Sequence, residues 1–429
     1  MQRVLFFLLL LFLPTQLGKH FWPSFSFIQG IRIDYLSPTL YLTDILIFLF
    51  CSYSTFFVNK NSSRQSFFTR TRHRRIVTLF VCVFLVGTIT AVSPFAALYG
   101  MIKFFEYFWL FLSLQRFFLS NKKNSIQATI LTCFGIGIFY EALLSFVQII
   151  SQQSVGGVWY LLGERTFTGS TPGVANVSLD GTLFLRPYGT FSHPNVLAGF
   201  SLISCIFLAF FPWGKQSRTV LIFRHIALIV GSSLLLATMS RIAIVLWIIM
   251  GAVFISKQLF GQIKNRIYRI SSLTILFIVA GAVLSLSPVS HRFVSLSTAD
   301  ESVVVRTDLM AQALYTVEKN PLFGVGLYNY LYHQKVSSVT APFISLQPVH
   351  NIYLLLLEQV GILGFVCIVW LFFYTIKKIW FMPFPYRQLC LLLFLTLAVL
   401  GMGDHYLLTL QQGQLLLTVV LGYIWGSES

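Results

Sequence analysis

The fold class this chain predicts is an all-α polytopic membrane protein with about a dozen transmembrane helices, and three observations lead there. Of 429 residues, 56% are hydrophobic and only 10% are charged, against about 25% charged in soluble domains. Apolar runs recur from one end of the sequence to the other. The basic residues collect in the short segments between those runs and alternate in density from one segment to the next, which is a topology signal.

Crossing the hydrocarbon takes about 20 apolar residues in a helix. The runs that qualify lie near 3–18, 39–58, 76–94, 97–119, 126–151, 194–213, 225–239, 241–256, 271–287, 350–376, 388–403 and 409–426. The first has the charge and apolar core of a secretion signal, but no A-x-A-like cleavage site follows it, so it is taken as a helix. The stretch around Ser240 is too long for one crossing and is folded at Met239–Ser240. With loops assigned alternately to two sides, one side holds about twice the Lys and Arg of the other, which puts that side and both termini in the cytoplasm. Two long segments, 152–193 and 288–349, then face outward, and loops of such length in a tight protein are usually functional. The first is rich in Gly, Ser and Thr. The second is predicted partly helical, because SVVVRTDLMAQALYTVEKNP carries apolar residues at helical spacing and ends at Asn320-Pro321. Residues 1–429 are expected to form one membrane domain with no separate soluble domain.

The net charge of +17 does not indicate nucleic acid, because no basic helix with interleaved base-stacking aromatics is present. All six cysteines fall inside apolar spans with no C-x-x-C, so neither a disulfide nor a zinc site is expected. The absence of D-x-D, H-E-x-x-H and G-x-x-x-x-G-K leaves metal-dependent nucleotide-sugar transfer, zinc proteolysis and P-loop ATP hydrolysis without support. No metal and no cofactor are expected.

Polar residues that could carry chemistry gather on the outward side. RPYGTFSHPN (186–195) runs directly into a helix. Pro194 suits the first turn, Ser192 or His193 the cap, and the free N–H groups of that turn suit a phosphate. Arg186 and Asn195 belong to this motif. Arg241 follows the fold at Ser240, either as an interfacial anchor or as a ligand-binding cation, and Arg306 lies in the second long segment, either on a solvated helix face or in a site. His350 and Asn351 open a helix, and Glu358 lies on the Asn351 face two turns further on. A charge at that depth costs about 2.5–3.5 kcal/mol or more, so Glu358 should meet a polar cavity or a partner, or be protonated. Gly361 and Gly364 suit close helix packing. Lys103 and Glu106 are spaced to pair on one helix face, although Lys103 could also reach an anionic headgroup. Glu141 has no assignment. Asp404, His405 and Tyr406, in the last outward loop, either line the same site or cap a turn. Several cations and one histidine at one interface suit a diphosphate and general-base chemistry.

The ordered set RPYGTFSHPNVLAG (186–199), TMSRIA (238–243), VRTDLMAQALYTVEKNPLFGVGLYNY (305–330), HNIYLLLLEQVGILGF (350–365) and DHYLLTLQQGQ (404–414) resembles the O-antigen ligase and polymerase family of bacterial envelope enzymes. The resemblance covers about the second half of the chain. It implies a GT-C-like, multi-helix glycosyltransferase of the bacterial inner membrane that inverts its donor and needs no metal. The donor would be a glycan on undecaprenyl diphosphate, and the acceptor a glycan or lipid-linked hydroxyl. By motif, Arg241 and Arg306 look like the arginines that hold the diphosphate, and His350 like the catalytic histidine. Lys103 stands more loosely for a basic residue of an earlier helix. The chain stops just after the last helix, so the extended C-terminal domain common in protein-glycosylating relatives is not expected, nor is a protein acceptor. Trp159 and Tyr160 suit either sugar stacking or the membrane interface. Two other classes remain open. An anion transporter would use Lys103, Glu106, Glu141 and Glu358 as a pathway and would carry broken helices and an internal repeat, neither of which is visible in the sequence. A non-catalytic scaffold or flippase partner would also use the long outward segments.

Overall fold

The computed structural model describes residues 1–57, 71–121, 123–179, 182–214, 216–260, 301–334 and 346–427. In chain order the helices are α1 (Gln2–Leu11), α2 (Leu42–Phe56), α3 (Thr71–Thr90), α4 (Pro94–Ser120), α5 (Lys123–Ser151), the short α6 (Val158–Leu161), α7 (Pro194–Phe210), α8 (Arg218–Ala237) and α9 (Arg241–Phe260). They continue with α10 (Glu301–Lys319), α11 (Ile352–Trp380), α12 (Tyr386–Gly403), the short α13 (Tyr406–Thr409) and α14 (Gln411–Gly426). Apolar runs become helices here because a helix satisfies its own backbone where water is absent. Among the described residues, five helices are long and apolar enough to cross a membrane: α4, α5 from Ser125, α8, α11 and α12. Five shorter apolar helices, at Gln2–Leu11, Leu42–Phe56, Arg75–Thr90, Pro194–Phe210 and Arg241–Phe254, accompany them. The expected span at 271–287 lies outside the described residues.

The core runs along α7, which is buried over almost its whole length, with Phe207 stacked on Phe134 of α5 and Phe200 tilted against the same ring. Phe6, Leu9 and Leu10 of α1 join the same core. The rim is as apolar as the centre: Ile89, Phe95 and Ile229 are 81%, 70% and 66% exposed. Such a surface suits lipid rather than water. All six cysteines are free.

The architecture departs from the purely helical expectation in two places. Small antiparallel pairs occupy two of the connections: β1 (Gly18–His20) pairs with β4 (Thr39–Tyr41), β2 (Phe27–Ile28) with β3 (Ile31–Arg32), and β5 (Asn176–Leu179) with β6 (Thr182–Leu185). The β2–β3 turn is Gln29-Gly30, both at positive φ, as a tight two-residue hairpin requires. Secondly, α11 is broken at Gly361, whose φ of 62° and ψ of −174° are not helical. Segment 321–326 fills the break. Val325 and Gly326 N–H donate to the carbonyls of Glu358 and Gln359 at 3.0 Å each, and Ile362 N–H donates to Pro321 at 2.8 Å. The close packing expected of Gly361 is therefore with a loop backbone, through a discontinuity that the sequence reading did not foresee.

Candidate active site

Buried polar groups on α5 hold the loop that enters α7. Glu141, 0% exposed, accepts from Thr190 N at 3.0 Å and from the Thr190 hydroxyl. Gln148 donates to Gly189 O at 3.0 Å and accepts from Tyr188 N and Gly189 N at 3.0 and 2.8 Å. Gly189 has φ of 57° and sits against the Glu141 carboxylate, where a side chain would collide. Glu141, unassigned from sequence, thus anchors the loop. At the loop's end His193 caps α7, its Nδ1 accepting from Asn195 N at 3.1 Å.

From this loop a polar relay crosses three segments. Arg186 donates through Nε to Thr238 O at 2.8 Å and through Nη2 to Asn195 Oδ1 at 2.9 Å. Asn195 Nδ2 in turn donates to Asp404 Oδ2 at 2.8 Å. Asp404 Oδ1 accepts from His405 N at 2.8 Å. The Thr238 carbonyl belongs to the turn between α8 and α9, where Met239 has φ of 54°. Arg241, the first residue of α9, follows directly, as the predicted fold at Met239–Ser240 requires.

Asp404 sits among three imidazoles. The His350 and His405 rings are 5.0 Å apart at 71°, and donor atoms of His350, Asp404 and His405 all lie within 4.8 Å of one another. His405 Nδ1 is 2.6 Å from Thr409 Oγ1. His350 Nδ1 is buried and, among the described residues, has no hydrogen-bond partner. Burial lowers the His350 pKa, opposed by the Asp404 charge and reinforced by Arg306. Burial also pushes His193 and His405 down to about 3 each. Burial alone would raise Asp404, but His405, His350, His193 and the Asn195 hydrogen bond outweigh it and hold the carboxyl below its usual range. At neutral pH the cluster is one carboxylate among neutral imidazoles. That set can accept a proton or ligate a divalent metal.

The cluster lines a cavity of about 300 Å³. Lys103 lines it too, but its charge is engaged: Nζ contacts Asp44 Oδ1 at 2.9 Å and Glu106 Oε2 at 2.7 Å. Gln411 donates to Thr43 Oγ1 at 2.9 Å and to Asp44. Asp44 and Glu106 also line an apolar groove of about 770 Å³ between α2 and α4, walled by Phe48, Ile102, Phe105 and Trp109. The three charges therefore stand between a polar chamber and an apolar channel.

Of the residues singled out in the sequence, His350, Asp404 and Lys103 line the cavity. Arg186 and Asn195 reach it through Asp404. Arg306, on α10, is close enough for its charge to act on His193, His350 and His405. Arg241 is tied to the site by the Thr238 turn and is not among the lining residues. Asn351 is used as a helix cap, its Oδ1 accepting from Tyr353 N and Leu354 N at 2.9 and 3.1 Å. Glu358, 1% exposed, lies away from the cavity at the break in α11, with Thr316 of α10 beside it. Trp159 and Tyr160, on α6, are not among the lining residues. His405 and Tyr406, named with Asp404 in the last outward loop, line the cavity as well, and His20, Tyr35, Tyr41 and Arg165 line it without having been singled out. Those four come from connections that carried no motif.

The family model described as O-Antigen ligase matches residues 203–369, a stretch that includes Arg241, Arg306, His350 and Glu358. No curated protein matches the chain.

Proposed function

We propose that this chain, which carries an O-antigen ligase domain over residues 203–369, transfers a glycan from an undecaprenyl-diphosphate-linked donor to an acceptor hydroxyl. The reaction takes place at the outer face of the bacterial inner membrane, with both termini in the cytoplasm. The enzyme is an inverting, metal-independent glycosyltransferase of ligase or polymerase type.

Neutral His350 takes the proton from the acceptor hydroxyl. The oxygen forms a bond to the anomeric carbon as the bond from that carbon to the phosphate oxygen breaks, and the electron pair leaves with the diphosphate. One displacement inverts the centre. Arg306 and Arg241 stabilise the departing charge, which is worth most in a poorly hydrated site. Asp404 offsets the positive charge that His350 acquires, and Arg186 and Asn195 hold Asp404 in place. The apolar groove beside Lys103 suits the polyprenyl tail of such a donor.

The observation that carries this reading is a buried His350 Nδ1 on the cavity wall, unpartnered among the described residues, with Asp404 beside it and Arg306 within electrostatic reach. Purified protein in vesicles with carrier-linked glycan tests it. Wild type should release carrier diphosphate, and His350→Ala should not; equal release by both would remove His350 as the base.

A second reading rests on the break in α11. A discontinuous helix with a buried carboxylate at the interruption is a feature of transporters. Uptake of a labelled anion into vesicles that show no glycan transfer would favour it.

A further inference from the structure

The cavity wall has two parts, the histidine cluster and a second part built from segments of the chain that precede the family match. The β1–β4 element supplies His20, Asp34, Tyr35 and Tyr41, and the segment between α6 and β5 supplies Arg165. Tyr35 joins the two parts, its ring edge-on to His405 at 5.5 Å. The Arg165 charge acts on His20, Tyr35, Tyr41 and Tyr188, so the guanidinium lies among these side chains. It makes no hydrogen bond or ion pair with any described residue. The acid on this wall, Asp34, faces Arg32 instead, at 4.0 Å. At the histidine cluster the charge of Arg186 acts on His193 and that of Arg306 on His193, His350 and His405. The glycan-transfer reading gives the leaving diphosphate to Arg306 and Arg241, on the face of the anomeric carbon opposite the attacking hydroxyl, which leaves Arg165 for another anion. What this second part offers is tyrosine rings and one uncommitted planar cation in fork geometry. Rings cover the apolar face of a sugar, and the fork matches a carboxylate or phosphate oxygen pair.

We propose that this part of the cavity is a glycan subsite for an acidic sugar, with Arg165 holding its carboxylate or phosphate substituent and Tyr35 and Tyr41 flanking the ring. The proposal rests on the glycan-transfer reading above. It adds what that reading lacks, a chemical class for the sugar.

Wild type and Arg165→Gln are compared in vesicles on three matched carrier-linked glycans: one with a uronic acid, one with a phosphate-substituted sugar, and one with the neutral parent. Each is presented in turn as donor and as acceptor. Wild type should prefer an acidic glycan, and the substituent it prefers identifies the anion. Arg165→Gln should lose about 10- to 100-fold in kcat/KM on that glycan, the range for a charged hydrogen bond. It should keep the neutral rate, which also reports that the variant is folded. Equal loss on neutral and acidic glycans would place Arg165 on the diphosphate and overturn the subsite, as would a wild type with no acidic preference. If wild type transfers nothing, the parent reading has failed, and binding of free acidic and neutral oligosaccharides by ligand-detected NMR decides the subsite alone. Acid-selective binding lost in Arg165→Gln supports it, and binding blind to charge or to the substitution overturns it.

Discussion

At the scale of single residues, function turns on which charges remain uncommitted. Lys103 lines the cavity but is held by Asp44 and Glu106, whereas His350 Nδ1 has no partner among the described residues. Replacing His350 by Ala should therefore lower kcat by about 10² to 10⁴, the range for general-base assistance. Its pH dependence follows from burial. The active imidazole is neutral, and burial pulls its pKa below 6.5. The acid limb of kcat/KM should therefore fall below pH 6.5, with a flat rate from there through neutrality. The Asp404 charge opposes that pull. Asp404→Asn should move the acid limb to still lower pH while cutting the plateau by roughly 10- to 100-fold, as the imidazolium loses its charged neighbour. A limb that moves upward would contradict this account. His350, Asp404 and Arg306 were legible because a polar residue stands out in a chain so poor in charge. Asp44 and Arg165 were not. Asp44 meets Lys103 across 59 residues of separation, and such pairings leave no trace in local spacing.

At the scale of elements, the helices were legible and their interruption was not. Caps at His193 and Asn351 and the fold before Arg241 follow from local chemistry, and each occurs where the residue types place it. The break at Gly361 depends on hydrogen bonds from segment 321–326, distant in sequence, so an apolar run containing two glycines read as one continuous helix. Any side chain at Gly361 would need a positive φ and would meet the Leu322 backbone. Gly361→Ala should cost roughly 1–3 kcal/mol or more in stability, seen as a lower midpoint in thermal unfolding of the detergent-solubilised protein. An unchanged midpoint would mean that the helix heals across the break. The β1–β4 element was equally illegible. It supplies part of the cavity wall from strands of two or three residues, too short for any alternating pattern to register.

At the scale of the whole molecule, apolar surface and charge distribution set the orientation. Under the proposed topology, Arg165→Cys in a cysteine-less background should react with a membrane-impermeant thiol reagent added from outside. Labelling from the cytoplasmic side alone would invert the arrangement of helices. The His350–Asp404–His405 group raises a separate question, since its donor atoms are close enough to share an ion. Transfer should continue in a chelator such as EDTA; activity lost there and restored by a divalent metal would recast these residues as ligands.

The most direct measurement is an experimental structure of the reconstituted protein with a non-transferable carrier-linked glycan bound. The account predicts the diphosphate between Arg306 and Arg241, with the anomeric carbon facing the His350 imidazole across the cavity. A diphosphate bound elsewhere, with His350 more than about two helical turns from it, would contradict the account.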